Sequence, residues 1–479
     1  ATPRTTRCSS GTVRRDMRAG LRRGGLGDGL RGWGGPRAVG RAAPADGVRG
    51  IRRGRPANSP EAGNPYTGSR PTRIVPLSYD RVRIRNFKSL EDVELELGKF
   101  NVIVGPNGSG KTSLIEAFVF ARLVARPLSS PPYPFAPWWG YENLVHAHDV
   151  GRNVEFEVEG KGPNGAPFLY RFSLNGPGGS PVILEEELDV GGPGGVGLRR
   201  RGDALEISSG GAPVARWRVT DPRYPVFSAT SAVAEASGPD GRSLVLFPRQ
   251  PLVAEGSSAT VPAGEEVLGA FREVYTGLLN DVYVLKFDPV LARSPSLPGA
   301  QLGMYGEGLA SVLYSEYAAA GAPVIPRGYL SDFLERYGLR LQPFPMESQT
   351  ISLRIVDAGA QLRMDPPGIP DGYLKVVALF HVLDRRPSLL LVDELENSLH
   401  LELLELVISA FRSSATKVVA TTHSPMVVDL ANPEELVLTV RKGISTIAGR
   451  IGDPEELRRR LREAGITLSE SWLYGRLGG

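Results

Sequence analysis

Residues 100–112 read FNVIVGPNGSGKT, and this stretch decides the fold that the rest of the chain must accommodate. Residues 100–104 are a continuous apolar run, which is typical of a central β-strand buried on both faces. The next eight residues, 105–112, fit the pattern G-x-x-x-x-G-K-[ST], and the apolar residues after them predict a helix. A strand, a glycine-rich loop and a helix in this order indicate a phosphate-binding loop.

The residue types explain how such a loop binds phosphate. Its glycines let consecutive backbone N–H groups turn inward around phosphate oxygens, at the positive end of the following helix. We expect Lys111 to reach the β- and γ-phosphates of a nucleotide and the Thr112 hydroxyl to hold Mg²⁺. The predicted nucleotide-binding residues are Gly105, Pro106, Asn107, Gly108, Ser109, Gly110, Lys111, Thr112 and Ser113.

Two later strands are predicted to end in polar residues. Residues 388–400, SLLLVDELENSLH, contain an apolar strand followed by Asp393 and Glu394. Ligands of open parallel sheets bind at the carboxyl ends of the strands, so Asp393 suits Mg²⁺ and Glu394 suits the general base that activates water. Residues 417–425, KVVATTHSP, place His423 after another apolar strand, where it could hydrogen-bond the γ-phosphate.

The rest of the chain indicates an α/β fold of several parts. Residues 79–126 and 350–479 are predicted to form two halves of an ATPase core with a mixed central sheet. Residues 127–349 form a long insertion, first antiparallel strands between glycine and proline turns (153–219), then helical stretches near 264–280 and 307–337.

The composition restricts the cellular setting. Residues 1–75 contain 16 arginines and four acidic residues with no hydrophobic periodicity, so we expect a disordered basic tail that could touch nucleic acid by charge, or translated upstream sequence. The single cysteine, Cys8, excludes an internal disulfide framework and a cysteine zinc site. No apolar stretch reaches the ~20 residues that cross a bilayer, which predicts a cytoplasmic protein without membrane insertion.

These motifs, together with RNFKSL (85–90) and PDGYLK (370–375), resemble the ABC-type ATPases of the SMC/RecF/OLD group. The chain is most similar to stand-alone AAA-type ATPases of prokaryotes whose signature is a short DG loop. The resemblance implies that two subunits sandwich two Mg²⁺-ATP molecules, with Asp371 and Gly372 facing the γ-phosphate on the partner. It also implies that Asn86, in RNFKSL, belongs to the nucleotide-binding residues.

Two alternatives stay open for the DG loop. Asp371 can cap the helix that begins near Gly372, which needs no partner, or the pair can act across a dimer with Lys375 adding positive charge. The chain also departs from transporter ATPases. It has no glutamine before Gln250, so the role of an early glutamine is vacant or filled by His146 or Glu142.

Three functions are compatible with these features. The first is an ATP-hydrolysing switch that acts as a homodimer in DNA repair or defence. The second is a nucleotide-binding subunit of a transporter or of a two-component toxin or defence system. The third is a nucleotide-sensing scaffold without catalysis. A DNA partner would favour basic residues such as Arg199, Arg200 and Arg201, and a membrane partner would favour the segment 127–140, PLSSPPYPFAPWWG.

Overall fold

The computed structural model describes residues 77–124, 134–162, 164–192, 194–219, 223, 252–254, 271, 274, 277–278, 281–319 and 327–475. The predicted basic tail (1–75), Cys8 and most of the predicted helical stretch at 264–280 lie outside the described residues. The same holds for residues 125–133, which include the first half of the segment 127–140.

Eighteen strands occur in the described part of the chain: β1 Ser78–Phe87, β2 Leu90–Glu96, β3 Phe100–Val104, β4 Val154–Lys161, β5 Pro167–Asn175, β6 Val182–Val190, β7 Val196–Arg201, β8 Ala204–Ser209, β9 Ala212–Val219, β10 Leu252–Ala254, β11 Val282–Leu285, β12 Leu339–Pro345, β13 Ile351–Asp357, β14 Leu362–Met364, β15 Leu389–Val392, β16 Lys417–Thr421, β17 Leu436–Lys442 and β18 Ser445–Arg450.

The α-helices of the same residues are α1 Lys111–Val124, α2 Tyr141–Leu144, α3 Pro289–Arg293, α4 Leu309–Ala319, α5 Tyr329–Arg336, α6 Asp371–Asp384, α7 Leu401–Ser413, α8 Pro425–Leu430, α9 Pro454–Ala464 and α10 Leu468–Leu473. Measured by length and apolar content, not one of the described helices qualifies as a bilayer-crossing segment.

A six-stranded sheet forms the core, in the order β11-β15-β16-β3-β17-β18. Its first five strands are parallel, and β18 returns antiparallel to β17. Strand β15 is buried on both faces: Leu389 and Leu391 pack with the cluster that includes α1, while Leu390 and Val392 pack with α6 and α7. The uninterrupted apolar runs in the sequence therefore reflect helices on both sides of the sheet.

The larger sheet is antiparallel and has nine strands, in the order β10-β9-β8-β7-β6-β5-β4-β1-β2. The alternating pattern that predicted antiparallel strands at 153–219 is confirmed. In β4, Val154, Phe156 and Val158 are buried while the glutamates between them are partly exposed. A third sheet, β12-β13-β14, lies beside α4 and α5. The structure thus has the predicted α/β class, with a mixed central sheet and an antiparallel subdomain.

The boundaries of the predicted insertion need correction. Strand β11 lies within residues 127–349, yet it pairs with β15 and is an edge strand of the core sheet, with Leu285 opposite Val392. Conversely, β1 and β2 belong to the predicted first half of the core but join the antiparallel sheet through β4. A four-residue strand such as VYVL carries too little pattern to be assigned to a sheet from its sequence.

Candidate functional site

The loop between β3 and α1 is held against β17 and β18 by close contacts. A Cβ atom on Gly105 would lie 2.2 Å from the carbonyl oxygen of Thr439, so no other residue fits there. Gly110 has a φ of +99°, and a Cβ there would lie 2.2 Å from the Thr446 hydroxyl oxygen. The Ser109 hydroxyl is 2.7 Å from that of Thr439. Two of the three glycines are therefore required by packing as well as by the turn.

Lys111 begins α1 and points back into its own loop. Its Nζ donates hydrogen bonds to the carbonyl oxygens of Gly105, at 2.7 Å, and Pro106, at 3.0 Å. Burial lowers the pKa of Lys111, and three nearby carboxylates oppose this shift, those of Asp393, Glu396 and Glu394. The ammonium group thus lies close to the acidic residues that follow β15.

The remaining loop residues differ in exposure. Pro106, Asn107 and Gly108 are exposed at the outer rim of the loop, and Ser113 is buried in the first turn of α1. Thr112 is exposed on that turn. The first turn of α1 follows the carboxyl end of β3, so Thr112 lies at the same edge of the sheet as the acidic residues.

Thr421, the last residue of β16, holds both acidic residues that follow β15. Its hydroxyl donates to the Asp393 carboxylate at 2.6 Å and accepts the Glu394 backbone N–H at 2.9 Å. Glu394 has a φ of +51°, a left-handed conformation that non-glycine residues seldom adopt. Such a conformation persists only where the surroundings hold it, and it often marks a functional site.

The Asp393 carboxylate also belongs to a chain of charges. Its second oxygen lies 3.2 Å from the Nζ of Lys286, which follows β11, and Lys286 lies 3.5 Å from Glu116 on α1. Glu116 is in turn 2.6 Å from Lys88. Burial raises the pKa of Glu116, but the hydrogen bond and charge of Lys88 and the charge of Lys286 outweigh this and leave it lowered.

His423 is exposed after β16, and its backbone is fixed by Glu396. One Glu396 oxygen accepts the His423 backbone N–H at 2.7 Å, and the other accepts the Thr422 hydroxyl at 2.8 Å. The imidazole therefore projects from a loop whose main chain is anchored. Residues from three neighbouring parallel strands, β15, β16 and β3, meet at one edge of the core sheet.

The structure changes the interpretation of the DG loop. Pro370 precedes the first turn of α6 and Asp371 is its first residue, so Asp371 is not the N-cap. Its carboxylate is paired with Arg293 of the same chain. Gly372 is buried, and a Cβ there would lie 2.7 Å from the carbonyl oxygen of Ser398. The close approach that requires this glycine is thus made to its own chain.

Lys375, expected to add charge to the DG loop, points inward. Only 1% of it is exposed, and its Nζ donates to the carbonyl oxygens of Glu394 at 2.9 Å, Leu395 at 3.0 Å and Asn397 at 2.9 Å. The Glu394 carboxylate, which is exposed, accepts a hydrogen bond from Asn397. Lys375 thus supports the loop that carries Glu394.

Asn86 is not brought to the phosphate loop by its contacts. Its side-chain amide donates to the carbonyl oxygen of Asn153 at 2.8 Å, and its oxygen accepts from Arg152 at 3.3 Å. These bonds join the end of β1 to the start of β4, which gives Asn86 a structural role, and its contact with nucleotide stays a prediction. The neighbouring Ser89 lies closer to the loop, because its hydroxyl oxygen would be 2.9 Å from a Cβ on Gly110.

Two residues, His146 and Glu142, were candidates for the role that an early glutamine has in transporter ATPases. Both have other contacts in this structure. The ring of His146 is buried, with Nδ1 2.8 Å from the carbonyl oxygen of Lys88 and Nε2 3.4 Å from the Ser445 hydroxyl. Glu142 is exposed on α2, and its carbonyl oxygen contacts His148. Nothing in these contacts connects either side chain to Asp393.

Of the three arginines considered for DNA binding, Arg199 and Arg200 have partners within the antiparallel sheet, and Arg201 is exposed. Arg199 lies 2.6 Å from Glu187 and 3.5 Å from Asp189. Arg200 is 1% exposed and donates to the carbonyl oxygen of Gly202. Successive strand residues face opposite sides of a sheet, so this basic run does not form one basic patch.

Sequence reasoning missed Lys286 and Glu396 and assigned no role to Thr421. Lys286 follows β11 directly. A lysine after a strand indicates a site residue only if that strand is known to pair with β15, and the sequence does not show this pairing. Glu396 belongs to the sequence DELEN, where alternate acidic residues at a strand end were available as a signal.

The oxygen atoms present fit Mg²⁺. The Thr112 hydroxyl and the Asp393 carboxylate are hard oxygen donors, and Mg²⁺ uses one or two such protein ligands beside phosphates and water. Among the described residues, no group of three or more His, Cys, Asp or Glu side chains forms a complete metal site. A metal held here would therefore depend on phosphate oxygens for its coordination.

A phosphate loop, an acidic strand end and a histidine strand end on one edge of a mixed sheet define an ABC-type P-loop ATPase head. Comparison with known families agrees: residues 81–131 match the family model described as "AAA domain". Residues 227–429 match one described as "AAA domain, putative AbiEii toxin, Type IV TA system". These matches support the interpretation of the chain as similar to ABC-type ATPases of the SMC/RecF/OLD group.

Curated relatives match over short segments. The DNA replication and repair protein RecF of Magnetococcus marinus is 34% identical over 88 residues, which are 17% of this chain and 22% of the relative. The OLD nuclease of Thermus scotoductus is 51% identical over 37 residues, 8% of this chain and 7% of the relative. The chromosome partition protein Smc of Methanocaldococcus jannaschii is 40% identical over 45 residues, which are 9% of this chain and 4% of the relative. The matches thus span less than a quarter of each relative.

Two SMC heads are among the solved structures that the comparison with this chain found. The SmcHead bound to the C-winged helix domain of ScpA has a TM-score of 0.45 at 12% identity, covering 80% of this chain and 99% of that one. The SMC head domain from Thermotoga maritima has a TM-score of 0.36 at 13% identity, and the match covers 78% of this chain and 100% of that domain.

Proposed function

We propose that the chain binds and hydrolyses ATP with Mg²⁺ and works as a nucleotide-driven switch. The observation that carries the proposal is the convergence of Lys111, Asp393 and Glu394 at the carboxyl edge of the core sheet. Strands β15 and β3 are separated only by β16, and Thr421 at the end of β16 bonds to both Asp393 and Glu394. Burial lowers the pKa of Lys111, and the charges of these carboxylates oppose that shift. A cation beside two carboxylates is the arrangement expected where phosphate and metal bind together.

In this proposal the phosphate loop binds the triphosphate through its backbone N–H groups. Lys111 exchanges its two hydrogen bonds to loop carbonyls for bonds to phosphate oxygens, which a charged donor makes more strongly. Thr112 and Asp393 would hold Mg²⁺, which neutralises phosphate charge when bound.

The hydrolytic step falls to Glu394 and His423. The exposed Glu394 carboxylate accepts a proton from the attacking water and orients it toward the γ-phosphate. The exposed imidazole of His423 donates a hydrogen bond to the γ-phosphate and senses its release. Both side chains project from main chain that is fixed by Thr421 and Glu396, so little reorganisation is needed.

We further propose that ATP closes a homodimer. The amino end of α6 lies at the surface: Pro370 is exposed and Asp371 is half-exposed, and no side chain caps the helix. Backbone N–H groups at a helix start attract anions. A partner's γ-phosphate would satisfy them, which supports the sandwich arrangement without requiring Gly372 to touch the partner.

The macromolecular target is proposed from the names of the relatives. RecF is a DNA replication and repair protein, which favours DNA as the target. The family description of residues 227–429 favours a second candidate, a nucleotide-binding subunit of a two-component toxin or defence system. DNA should alter turnover in a salt-sensitive way under the first candidate and leave it unchanged under the second.

The central experiment compares ATP binding and hydrolysis in three variants. Glu394→Gln should keep ATP affinity and lower turnover by ~10²–10⁴-fold, because it removes the base. Lys111→Ala should lose binding itself. The matched controls are Glu405→Gln, an exposed carboxylate on α7, and Lys99→Ala, an exposed lysine at the opposite edge of the sheet. Both should behave as wild type.

Two results would contradict the proposal. Equal turnover in the wild type and Glu394→Gln would remove Glu394 as the base. ATP binding by the wild type without hydrolysis would favour a nucleotide-sensing scaffold.

A further inference from the structure

Glu394, whose backbone is left-handed, has both its N–H group and its carbonyl oxygen hydrogen-bonded to side chains. The backbone N–H of Glu394 donates to Thr421, and its carbonyl oxygen accepts from Lys375 at 2.9 Å. A residue with a φ of +51° keeps that conformation only if its neighbours fix it. Thr421 acts from strand β16, whereas Lys375 acts from helix α6.

Lys375 supplies more than one contact. Its ammonium group has three donors, and it directs them at the carbonyl oxygens of Glu394, Leu395 and Asn397. A charged lysine that is 1% exposed is costly to bury unless all its donors are used. Using the three donors on one four-residue turn fixes the path of that turn.

A second contact joins the same helix face to the same loop. Gly372 lies three residues before Lys375, so both occupy one face of α6. A Cβ on Gly372 would lie 2.7 Å from the Ser398 carbonyl oxygen, hence α6 rests on the main chain of 394–398 at two points. A shift of the amino end of α6 would therefore displace the main chain that carries Glu394.

We infer that Lys375 is a positioning residue for Glu394, holding the main chain of residues 394–397 in the conformation from which the Glu394 carboxylate activates water. This inference rests on the proposed function. The expected signature is a loss of kcat without a loss of binding, because Lys375 touches neither the phosphate loop nor its carbonyls. A misplacement of about 1 Å at a catalytic group can cost 10²-fold in rate.

The experiment is a double-mutant cycle between Lys375→Met and Glu394→Gln. Lys375→Met should lower kcat by about 10²-fold with the affinity for a fluorescent ATP analogue within about threefold of wild type. Added to Glu394→Gln, it should lower turnover no further, because a residue that acts through Glu394 has nothing left to position. A separate, merely structural effect would multiply with that of Glu394→Gln.

The matched control is Lys417→Met. Lys417 also donates to three oxygen atoms, the carbonyls of Tyr79 and Leu97 and the carboxylate of Asp80, but at the opposite edge of the core sheet. The Lys417→Met substitution should lower the free energy of unfolding and leave kcat per folded molecule unchanged. If Lys417→Met lowers kcat as much as Lys375→Met does, the inference is overturned.

Two less disruptive substitutions test the same inference if the Lys375→Met variant does not fold. Gly372→Ala adds one methyl group against the Ser398 carbonyl, whereas Gly368→Ala, four residues earlier, meets no atom within 4 Å. The first should lower kcat and the second should not. Equal kcat in the two alanine variants would overturn the inference.

The outcomes also separate this inference from the proposed function. If the wild type hydrolyses no ATP, both the proposed function and the positioning role of Lys375 are contradicted. Normal hydrolysis in the wild type and in Lys375→Met, or additive losses in the cycle, overturns only the positioning role.

Discussion

The two large sheets use charged residues in opposite ways. In the antiparallel sheet, the arginines of β1 lie between acidic residues of β2 and β4: Arg83 is 2.8 Å from Asp92, and Arg85 is 2.9 Å from Glu155. Farther along, Glu187 of β6 lies between Arg171 of β5 and Arg199 of β7. The charges of this face are thus neutralised from strand to strand.

The core sheet has its functional charges at one edge only. Strand β15 is apolar throughout and β16 is apolar between Lys417 and Thr421. Asp393, Glu394 and His423 follow the carboxyl ends of these two strands. Glu394 and His423 are exposed, while their main chains are held by buried or half-buried neighbours. The comparison teaches that the number of charges in a segment says little about function, whereas topology decides which of them stay available to a ligand.

The largest effect that tests this comparison concerns assembly. If the core-sheet edge faces a partner, Glu394→Gln should form a dimer with saturating Mg²⁺-ATP, because a ligand that binds only the closed state stabilises it by about 2.7 kcal/mol at a hundredfold excess over its Kd. Sedimentation should show a monomer with ADP. Adding Lys111→Ala should restore the monomer, since binding is lost.

The same measurement separates the two roles considered for Gly372. Gly372→Ala combined with Glu394→Gln should still dimerise if the glycine contacts only Ser398 of its own chain. Loss of the ATP-bound dimer in that variant would instead assign Gly372 to the partner's nucleotide. A Glu394→Gln variant that stays monomeric with Mg²⁺-ATP would contradict the sandwich proposal.

The sequence was sufficient where the chemistry is contiguous. The phosphate loop and the residues after β15 and β16 are short segments whose residue types and order predict their position at a sheet edge. The three arginines of β7 show the opposite case. As a run they suggest a basic patch, but strand alternation turns Arg200 inward and leaves Arg199 facing Glu187.

Contacts between distant segments could not be predicted in the same way. Lys286 lies more than a hundred residues before Asp393, and only the pairing of β11 with β15 brings the two together. The direction of Lys375 depends on which face of α6 packs inward, because nearly the whole helix is apolar and buried. Hydrophobic periodicity gives no preferred face in such a helix.

A smaller effect should appear in the pH dependence of turnover. Burial lowers the pKa of Lys375 to about 8, although Glu396, Glu394 and Asp393 oppose the shift. Above that pH the neutral amine keeps only two donors for three carbonyls, so kcat should fall severalfold between pH about 7 and about 9. The decline should be absent in Lys375→Met and present in Lys417→Met.

Stability should move in the opposite direction over the same range. The unfolded lysine stays protonated up to pH about 10.4, whereas the folded one loses its proton near 8, so the cost of the buried charge is present below pH 8 and relieved above it. The free energy of unfolding of the wild type should therefore rise relative to Lys375→Met as pH increases. A parallel fall in kcat and relative stability would indicate general alkaline unfolding.

The smallest effect belongs to the antiparallel sheet. Arg199→Met should leave ATP turnover unchanged and lower the free energy of unfolding by about 1 kcal/mol, since Glu187 is 9% exposed but keeps Arg171 as a partner. Burial raises the pKa of Glu187, yet the hydrogen bond from Arg199 and the charge of Arg171 outweigh it and leave the pKa lowered. The matched control is Arg340→Met, an exposed arginine on β12, which should have almost no effect.

The direction of the pKa shift fixes the pH range in which this difference appears. A glutamate whose folded pKa is depressed contributes stability above its unfolded pKa, about 4.3, and loses it as pH falls through the folded value. Denaturant unfolding of the wild type and Arg199→Met should differ by a constant amount from pH about 7 to about 5 and converge below about 4. A difference that persists at low pH would mean that Arg199 stabilises the sheet by packing rather than by charge. A change in turnover would show that the two sheets are energetically coupled and that the charges of β7 reach the site.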